Sequence, residues 1–212
     1  MKIKVDAKRR FLAVPAQFEI CSGEQATAAC ITRAMSLLAG APVRAAIVSG
    51  PGRTAEIARR IGAAIGAGAA VHHQVLNACT RAHVQESAQA LSETTDLLIA
   101  VGGGSVIDPA KLIAGELKVP LIVVATALSS DCFGSPVAVL LDDSGKKISL
   151  PAVIPSFVVV DTAVTTMAPG LMALAGLCDV LSNASAILDA KAARENAGVQ
   201  LDNFALALAE GA

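Results

Sequence analysis

Short runs of β-branched and aliphatic residues alternate along most of this chain with longer, alanine-rich stretches of helical period. The runs Val43–Ser49 and Leu97–Val101 are almost wholly apolar, as expected for strands that are covered by helices on both faces. Strands separated by helix-length segments are typical of βαβ units, which place their strands in one parallel sheet. The sequence therefore predicts an α/β fold with a Rossmann-like parallel sheet and flanking helices.

The predicted elements fall into two parts. The predicted strands are Phe18–Ser22, Val43–Ser49, Ala70–Val75, Asp96–Val101, Pro120–Ala125, Pro136–Leu141, Lys147–Leu150 and Ser156–Val160, and the predicted helices are Glu24–Leu38, Thr54–Ile65, Arg81–Glu93, Ile107–Leu117, Gly170–Ala193 and Val199–Glu210. The turn Asp142-Asp143-Ser144-Gly145 predicts a hairpin. We expect residues 1–161 to form the α/β domain. Residues 162–212 are expected to form the beginning of an all-helical second domain that is incomplete. The apolar faces of its helices need to be covered, either by more chain or by a second copy in a homo-oligomer.

Composition excludes several classes of protein. The formal net charge is −1, aromatic residues make up 2%, and there is no Trp or Tyr, which argues against a basic nucleic-acid binder and against aromatic stacking platforms. Five widely spaced cysteines without a Cys-x-x-Cys pair fit neither a disulfide framework nor a zinc knuckle. The longest apolar run, Val119–Leu128, is too short to cross a bilayer. We expect a cytoplasmic protein that does not bind nucleic acid and has no membrane span.

A glycine-rich loop follows the apolar predicted strand that ends at Val101. Gly102, Gly103, Gly104 and Ser105 stand where this strand ends and a helix begins. Glycines permit a positive φ and let a ligand approach the backbone, while a helix N-terminus offers free N–H groups to an anion. The loop predicts a cradle for a diphosphate, with a ligand-free tight turn as the alternative. It matches neither G-x-G-x-x-G nor a Walker loop, so it does not name the nucleotide.

The dipeptide Asp108-Pro109 bears on where the next helix begins. With Asp108 as the N-cap, Pro109 takes the first helical position, where proline is favoured. We therefore expect Ser105, Val106 and Ile107 to extend the loop. Asp108 is interpreted either as this cap or as a ligand-binding residue.

A second polar loop follows the strand that ends at Ala125. It carries the hydroxyls of Thr126, Ser129, Ser130 and Ser135, together with the carboxylate of Asp131. Polar side chains at the carboxyl end of a parallel strand are placed to line a crevice. The alternative is a solvent-exposed loop that uses these groups for turn hydrogen bonds.

Taken together, these motifs resemble the iron-containing alcohol dehydrogenase superfamily, and within it the branch of glycerol-1-phosphate dehydrogenase and glycerol dehydrogenase. The matching residues are Gly102–Asp108, Ala110-Lys111, Thr126-Ala127, Ser129, Asp131, Ser135-Pro136, Asp161-Thr162, Ala168-Pro169, Cys178–Asn183 and Leu188-Asp189. They occur in the order and spacing of that branch, from about Glu19 to Ala193.

The resemblance implies an NAD- or NADP-dependent, metal-assisted oxidoreductase of a small polyol or polyol phosphate. It implies that a glycine loop holds the coenzyme diphosphate, that Asp131 lies at the substrate, and that Asp179 is one of three protein ligands to Zn²⁺ or Fe²⁺. The predicted coenzyme-binding residues are Gly102, Gly103, Gly104, Ser105, Asp108, Thr126, Ser129 and Ser135.

The chain departs from that pattern at two places. Ser130 stands where the glycerol-1-phosphate branch usually carries His. The family's two histidine metal ligands follow the acid that matches Asp179, whereas His72, His73 and His83 all precede it and are interpreted as ordinary surface residues. Two alternatives therefore stay open: a non-catalytic dinucleotide-binding module, and a cyclase of the 3-dehydroquinate synthase type, whose usual Gly-Gly-Lys signature is replaced here by Ser135-Pro136-Val137.

Overall fold

The computed structural model describes residues 17–38, 43–66, 69–76, 79–93, 95–142 and 144–211. Residues 1–16 of the predicted α/β domain and the side chains of His72 and His73 lie outside what is described. The strands are β1 Gln17–Cys21, β2 Val43–Ser49, β3 Ala69–Val75, β4 Leu97–Gly102, β5 Leu121–Ala125, β6 Val137–Leu141, β7 Lys147–Pro151 and β8 Phe157–Asp161. The helices are α1 Glu24–Leu38, α2 Arg53–Ile65, α3 Arg81–Leu91, α4 Gly104–Leu117, α5 Thr162–Thr165, α6 Gly170–Ala197 and α7 Asn203–Gly211.

Six strands form one sheet in the order β1-β8-β5-β4-β2-β3. Each neighbouring pair is parallel. Every residue of the central strands β4 and β5 is buried, as their unbroken apolar sequences predict for strands that are covered on both faces. The predicted Rossmann-like α/β fold is confirmed.

Helices cover the sheet on both faces, and each face has its own apolar core. Alternate residues of β4 divide between the two cores, because successive side chains of a strand point to opposite faces. Leu98 and Ala100 pack with residues of α3 and α4, whereas Leu97, Ile99 and Val101 pack with residues of α1 and α2. The result is a three-layer sandwich in which the carboxyl ends of the strands share one edge.

The predicted hairpin is present as β6 and β7, which pair antiparallel. Its turn is held by the Asp142 carboxylate, whose Oδ1 accepts hydrogen bonds from the Ser144 hydroxyl at 2.6 Å and the Lys146 N–H at 2.9 Å. The bonds from Ser144 and Lys146 hold the pKa of Asp142 below its usual value. Ala138 and Leu140 are buried, and Leu140 joins the α3 and α4 core.

Asp161 fixes the chain where it leaves the last strand of the sheet. Its buried carboxylate accepts hydrogen bonds from the Gly23 N–H (2.9 Å), the Ala163 N–H (2.9 Å) and the Thr27 hydroxyl (2.7 Å). It thereby caps α5 and ties it to the turn between β1 and α1. This short helix, absent from the predicted elements, carries the chain across the carboxyl edge of the sheet.

The helices α6 and α7 lie largely outside the two cores. None of the side chains of α6 is buried, and Leu171 and Val180 are 78% and 67% exposed. By length and composition alone, α6 could cross a bilayer, so the expectation that the chain has no membrane span stays a prediction. The division into two domains at residue 161 likewise stays a prediction.

Candidate coenzyme site at the carboxyl edge of the sheet

A cavity of about 640 Å³ lies at the carboxyl ends of β2, β4 and β5. Its lining residues are Gly50, Pro51, Arg53, Thr54, Ile57, Gly103, Gly104, Ser105, Val106, Thr126, Ala127, Ser129, Val164, Met167, Ala168, Pro169 and Met172. Five of the predicted coenzyme-binding residues meet here, namely Gly103, Gly104, Ser105, Thr126 and Ser129. The other predicted site residues, Gly102, Asp108, Asp131, Ser135 and Asp179, are outside this lining. Both the size and the position are those expected of a ligand site in an open α/β sheet.

The N-terminus of α4 opens into this cavity without a side-chain cap. Gly103 is the N-cap residue, and the first backbone bonds run from the N–H groups of Val106 (2.9 Å) and Ile107 (3.0 Å) to the Gly103 carbonyl. In the described part of the chain, the N–H groups of Gly104 and Ser105 have no intrahelical acceptor. The helix dipole adds partial positive charge at the same place, so this end of the cavity favours an anion.

The glycines act by leaving space rather than by adopting unusual backbone angles. None of Gly102, Gly103 and Gly104 has a positive φ, and Gly103 is extended with φ −99° and ψ −163°, so the freedom of glycine to adopt a positive φ is not used in this loop. A Cβ on Gly102 would stand 2.6 Å from Val106 atoms, whereas one on Gly103 would meet only the Ala127 Cβ, at 3.9 Å. Gly102 is therefore required for packing, and Gly103 leaves room for a ligand.

The prediction that Asp108 is the N-cap of α4 is wrong. The helix begins at Gly104 and contains Pro109, which lacks the N–H that would donate to the Ser105 carbonyl. The Asp108 carboxylate faces the β6 side, where its Oδ2 accepts a hydrogen bond from the Val139 N–H at 3.1 Å. A role for Asp108 in coenzyme binding stays a prediction, and no contact with the cavity supports it.

The fully buried side chain of Lys111 holds the second polar loop through hydrogen bonds to backbone carbonyls. Its side chain is 0% exposed, and its Nζ lies 2.9 Å from the Asp108 Oδ1. It donates hydrogen bonds to the carbonyls of Cys132 (2.8 Å), Ser135 (3.3 Å) and Val137. The three N–H bonds of the ammonium thus match three backbone acceptors, while the carboxylate balances its charge.

The second polar loop lies beside the glycine loop. The Thr126 N–H donates to the Gly102 carbonyl at 3.0 Å, which joins the ends of β4 and β5. Burial raises the pKa of the Cys132 thiol, so it is neutral at pH 7. Its sulfur would stand 3.7 Å from a Cβ on Gly104. Asp131 is exposed, and the half-buried Ser135 uses its hydroxyl to accept a hydrogen bond from the Val137 N–H at 3.3 Å.

Asp179 approaches the same loop from α6 but does not stand in a metal site. Its Oδ2 accepts a hydrogen bond from the Asp131 N–H at 3.0 Å, and nearby a Cβ on Gly176 would clash with the Leu128 carbonyl oxygen. Among the residues that the structure describes, no group of three or more His, Cys, Asp or Glu side chains could hold a metal ion. These residues therefore do not fit a metal, and the role of Asp179 as a ligand stays a prediction.

The turn from β2 to α2 contributes cavity residues that sequence reasoning missed. Gly50, Pro51, Arg53 and Thr54 line the cavity, since Ser49 at the end of β2 pairs with Val101 in β4. A signal was present, because a Gly-Pro-Gly turn directly follows an apolar strand, as the glycine loop does. Arg53 is exposed and its Nη2 lies 3.2 Å from the Met167 sulfur.

The chain is similar to known proteins over the region that builds this cavity. A family model described as "Iron-containing alcohol dehydrogenase" matches residues 25–169. The glycerol-1-phosphate dehydrogenase [NAD(P)+] of Methanospirillum hungatei is 39% identical over 125 residues, which are 59% of this chain and 34% of that protein. The enzyme of the same name from Picrophilus torridus is 36% identical over 138 residues, which are 64% of this chain and 39% of that protein.

Solved structures share the fold. Glycerol dehydrogenase from Schizosaccharomyces pombe matches with a TM-score of 0.69 and 23% identity, over 80% of this chain and 43% of that chain. Sulfoacetaldehyde reductase from Bifidobacterium kashiwanohense in complex with NAD+ matches with a TM-score of 0.67 and 20% identity, over 80% of this chain and 50% of that chain. The matched region spans between a third and two fifths of the two curated relatives. Since the family match extends over more than half of the 212 residues, the chain belongs to the iron-containing alcohol dehydrogenase family.

Proposed function

We propose that this chain binds NAD or NADP at the carboxyl edge of its sheet. In this proposal it is the coenzyme-binding part of a cytoplasmic oxidoreductase that acts on a small polyol or polyol phosphate. The proposal draws its substrate class from the names of the curated relatives, which are glycerol-1-phosphate dehydrogenases [NAD(P)+]. A homo-oligomer is part of the proposal, because the exposed apolar side chains of α6 need a covering surface.

The observation that carries the proposal is the N-terminus of α4, which lacks a side-chain cap and opens into the cavity at the carboxyl edge of the sheet. A diphosphate there would accept hydrogen bonds from the N–H groups of Gly104 and Ser105 and would lie on the positive end of the helix dipole. Gly103 leaves the space that the phosphate oxygens need, since only the Ala127 Cβ lies within 4 Å of the place of a missing Cβ. The residues present therefore fit a dinucleotide.

The remaining polar residues have separate proposed roles. Thr126 and Ser129 line the cavity beside the glycine loop, and their hydroxyls are available to orient the coenzyme. When bound, the nicotinamide supplies hydride transfer. Asp131 stands exposed on the same loop, where we assign its carboxylate to the substrate, and Ser135 is assigned to the coenzyme. Because the described residues do not form a metal site, we derive no step through Zn²⁺ or Fe²⁺.

Coenzyme is expected to stabilise the folded chain. At about 100 times the dissociation constant, NAD⁺ or NADP⁺ should raise the free energy of unfolding by roughly 2.7 kcal/mol, if only the native state binds it. The measurement is urea unfolding followed by circular dichroism with and without coenzyme. Sodium chloride at the same ionic strength is the control for nonspecific salt effects. Unchanged unfolding with both coenzymes would contradict the proposal.

A second candidate, a non-catalytic dinucleotide-binding module, is favoured by one observation. Among the described residues, Asp179 lacks the partners that a catalytic metal site needs, which is about three protein ligands. We therefore expect this 212-residue chain alone to bind coenzyme but to show little or no turnover of glycerol phosphates with Zn²⁺ added. The measurement is NAD(P)H absorbance over time, and clear turnover would mean that the metal ligands have been misjudged.

A further inference from the structure

Two helices, α2 and α4, begin at the cavity that lies at the carboxyl edge of the sheet. α2 follows β2 and α4 follows β4, and these strands are hydrogen-bonded neighbours. A Cβ on Gly50 would stand 3.3 Å from a methyl of Val106, so the turn before α2 packs directly on the first turn of α4. Two positive helix ends at one cavity favour a ligand with more than one separate anionic group.

The N-terminus of α2 is also without a side-chain cap. Its N-cap residue is Gly52, which has φ 65° and ψ −126° and makes no side-chain hydrogen bond to the helix. These backbone angles are strained for any residue with a Cβ, so they favour glycine at this position. Because glycine has no side chain, the turn before α2 is left open. Both α2 and α4 thus begin beside the cavity without a side-chain cap.

Arg53 is the only charged side chain in the lining of this cavity, which contains no Asp or Glu among the described residues. A pocket that selects NAD typically uses a carboxylate to bind the ribose 2′-hydroxyl, whereas an arginine accommodates the 2′-phosphate of NADP. The guanidinium can bind a phosphate with two parallel hydrogen bonds. Its present partner is the Met167 sulfur at 3.2 Å, a weak acceptor that a phosphate would easily replace.

We propose that Arg53, on the first turn of α2, selects a coenzyme with a 2′-phosphate, so that the chain prefers NADP to NAD. The inference rests on the proposed coenzyme site and adds its specificity. In this arrangement the diphosphate lies at α4 and the 2′-phosphate lies at α2, each beside an uncapped helix N-terminus.

The test is isothermal titration of the whole chain with NADP⁺ and with NAD⁺ at equal ionic strength. Since a charge-assisted hydrogen bond contributes about 1.5–3 kcal/mol, NADP⁺ should bind about 10-fold to 100-fold more tightly. Arg53→Gln should remove most of this preference by weakening NADP⁺ binding while changing NAD⁺ affinity less than about twofold. Equal affinities in the wild-type chain, or tighter NAD⁺ binding, would overturn the inference.

Arg59→Gln is the matched control, because Arg59 is an exposed arginine of the same helix that lines neither this cavity nor the adjoining one. It makes the same change in net charge and should leave both affinities unaltered. If Arg53→Gln weakens NAD⁺ and NADP⁺ equally, Arg53 binds the shared diphosphate and the 2′-phosphate assignment is wrong. If the wild-type chain binds neither coenzyme, the proposed function itself fails, and that result is distinct from a lost preference.

Discussion

A Gly103→Val substitution is expected to lower the affinity for NAD⁺ and NADP⁺ by at least about 100-fold, which corresponds to roughly 2.7 kcal/mol of binding free energy. The valine side chain would occupy the space in which a diphosphate meets the N–H groups of Gly104 and Ser105. Loss of two charge-assisted hydrogen bonds at about 1.5–3 kcal/mol each accounts for such an effect. The measurement is isothermal titration with each coenzyme.

The same substitution should leave the chain folded. Gly103 has extended backbone angles that valine adopts readily, and a Cβ there meets nothing closer than 3.9 Å. A poorer N-cap residue should cost about 1 kcal/mol of stability. Gly66→Val is the control, since a Cβ on Gly66 would meet no atom within 4 Å and this residue lies outside the cavity lining. Wild-type coenzyme affinity in a folded Gly103→Val chain would remove the basis of the proposed site.

The fold was largely predictable because its signals are local. Strands β4 and β5 are covered on both faces and so have unbroken apolar sequences, which makes them visible without any knowledge of their neighbours. The hairpin turn at Asp142 was visible for a similar reason, since its carboxylate bonds to residues two and four positions further along the chain. The helix ends were less predictable, because tertiary contacts decide them.

The start of α4 shows how a tertiary contact outweighed a local rule. Proline is favoured in the first turn of a helix, and that preference pointed to Asp108 as the cap. The carboxylate of Asp108 instead binds Lys111 and the Val139 N–H, which lies 31 residues further along the chain. Because Asp108 makes these contacts, the helix begins at Gly104, although Pro109 has no N–H and one backbone hydrogen bond of the helix is missing.

Only part of the candidate site could be predicted, because the rest depends on tertiary contacts. The glycine loop and the second polar loop follow strands that are adjacent in the sheet, and both were identified. Arg53 was missed, because the pairing of β2 with β4 is not apparent from the sequence. Lys111 was one of the residues that carry the family resemblance, but its burial against three carbonyls depends on the path of the 132–137 segment and could not be predicted.

Lys111→Met is expected to have the largest effect on stability, lowering the free energy of unfolding by about 3–5 kcal/mol. The substitution keeps a long apolar side chain but removes the ammonium. It leaves the buried Asp108 carboxylate without its counter-ion and the carbonyls of Cys132, Ser135 and Val137 without their donor. The measurement is urea unfolding at pH 7.

The charge pair can be separated from simple packing by a double-mutant cycle. Asp108→Asn together with Lys111→Met removes both charges, so the double variant should be more stable than the sum of the two single effects predicts, by about 1–3 kcal/mol. It also keeps the experiment informative if Lys111→Met alone fails to fold. Lys147→Met, at an exposed position on β7, makes the same chemical change and should stay within about 0.5 kcal/mol of wild type.

Lys111 also connects stability to coenzyme binding, because the loop that it anchors includes Thr126 and Ser129 in the cavity lining. If the ammonium fixes this loop, a folded Lys111→Met chain should bind NADP⁺ more weakly, and Lys111→Arg should recover part of the loss by supplying donors to the same carbonyls. A Lys111→Met chain whose free energy of unfolding stays within about 1 kcal/mol of wild type, or a cycle whose two effects simply add, would show that the buried ion pair does not hold the loop.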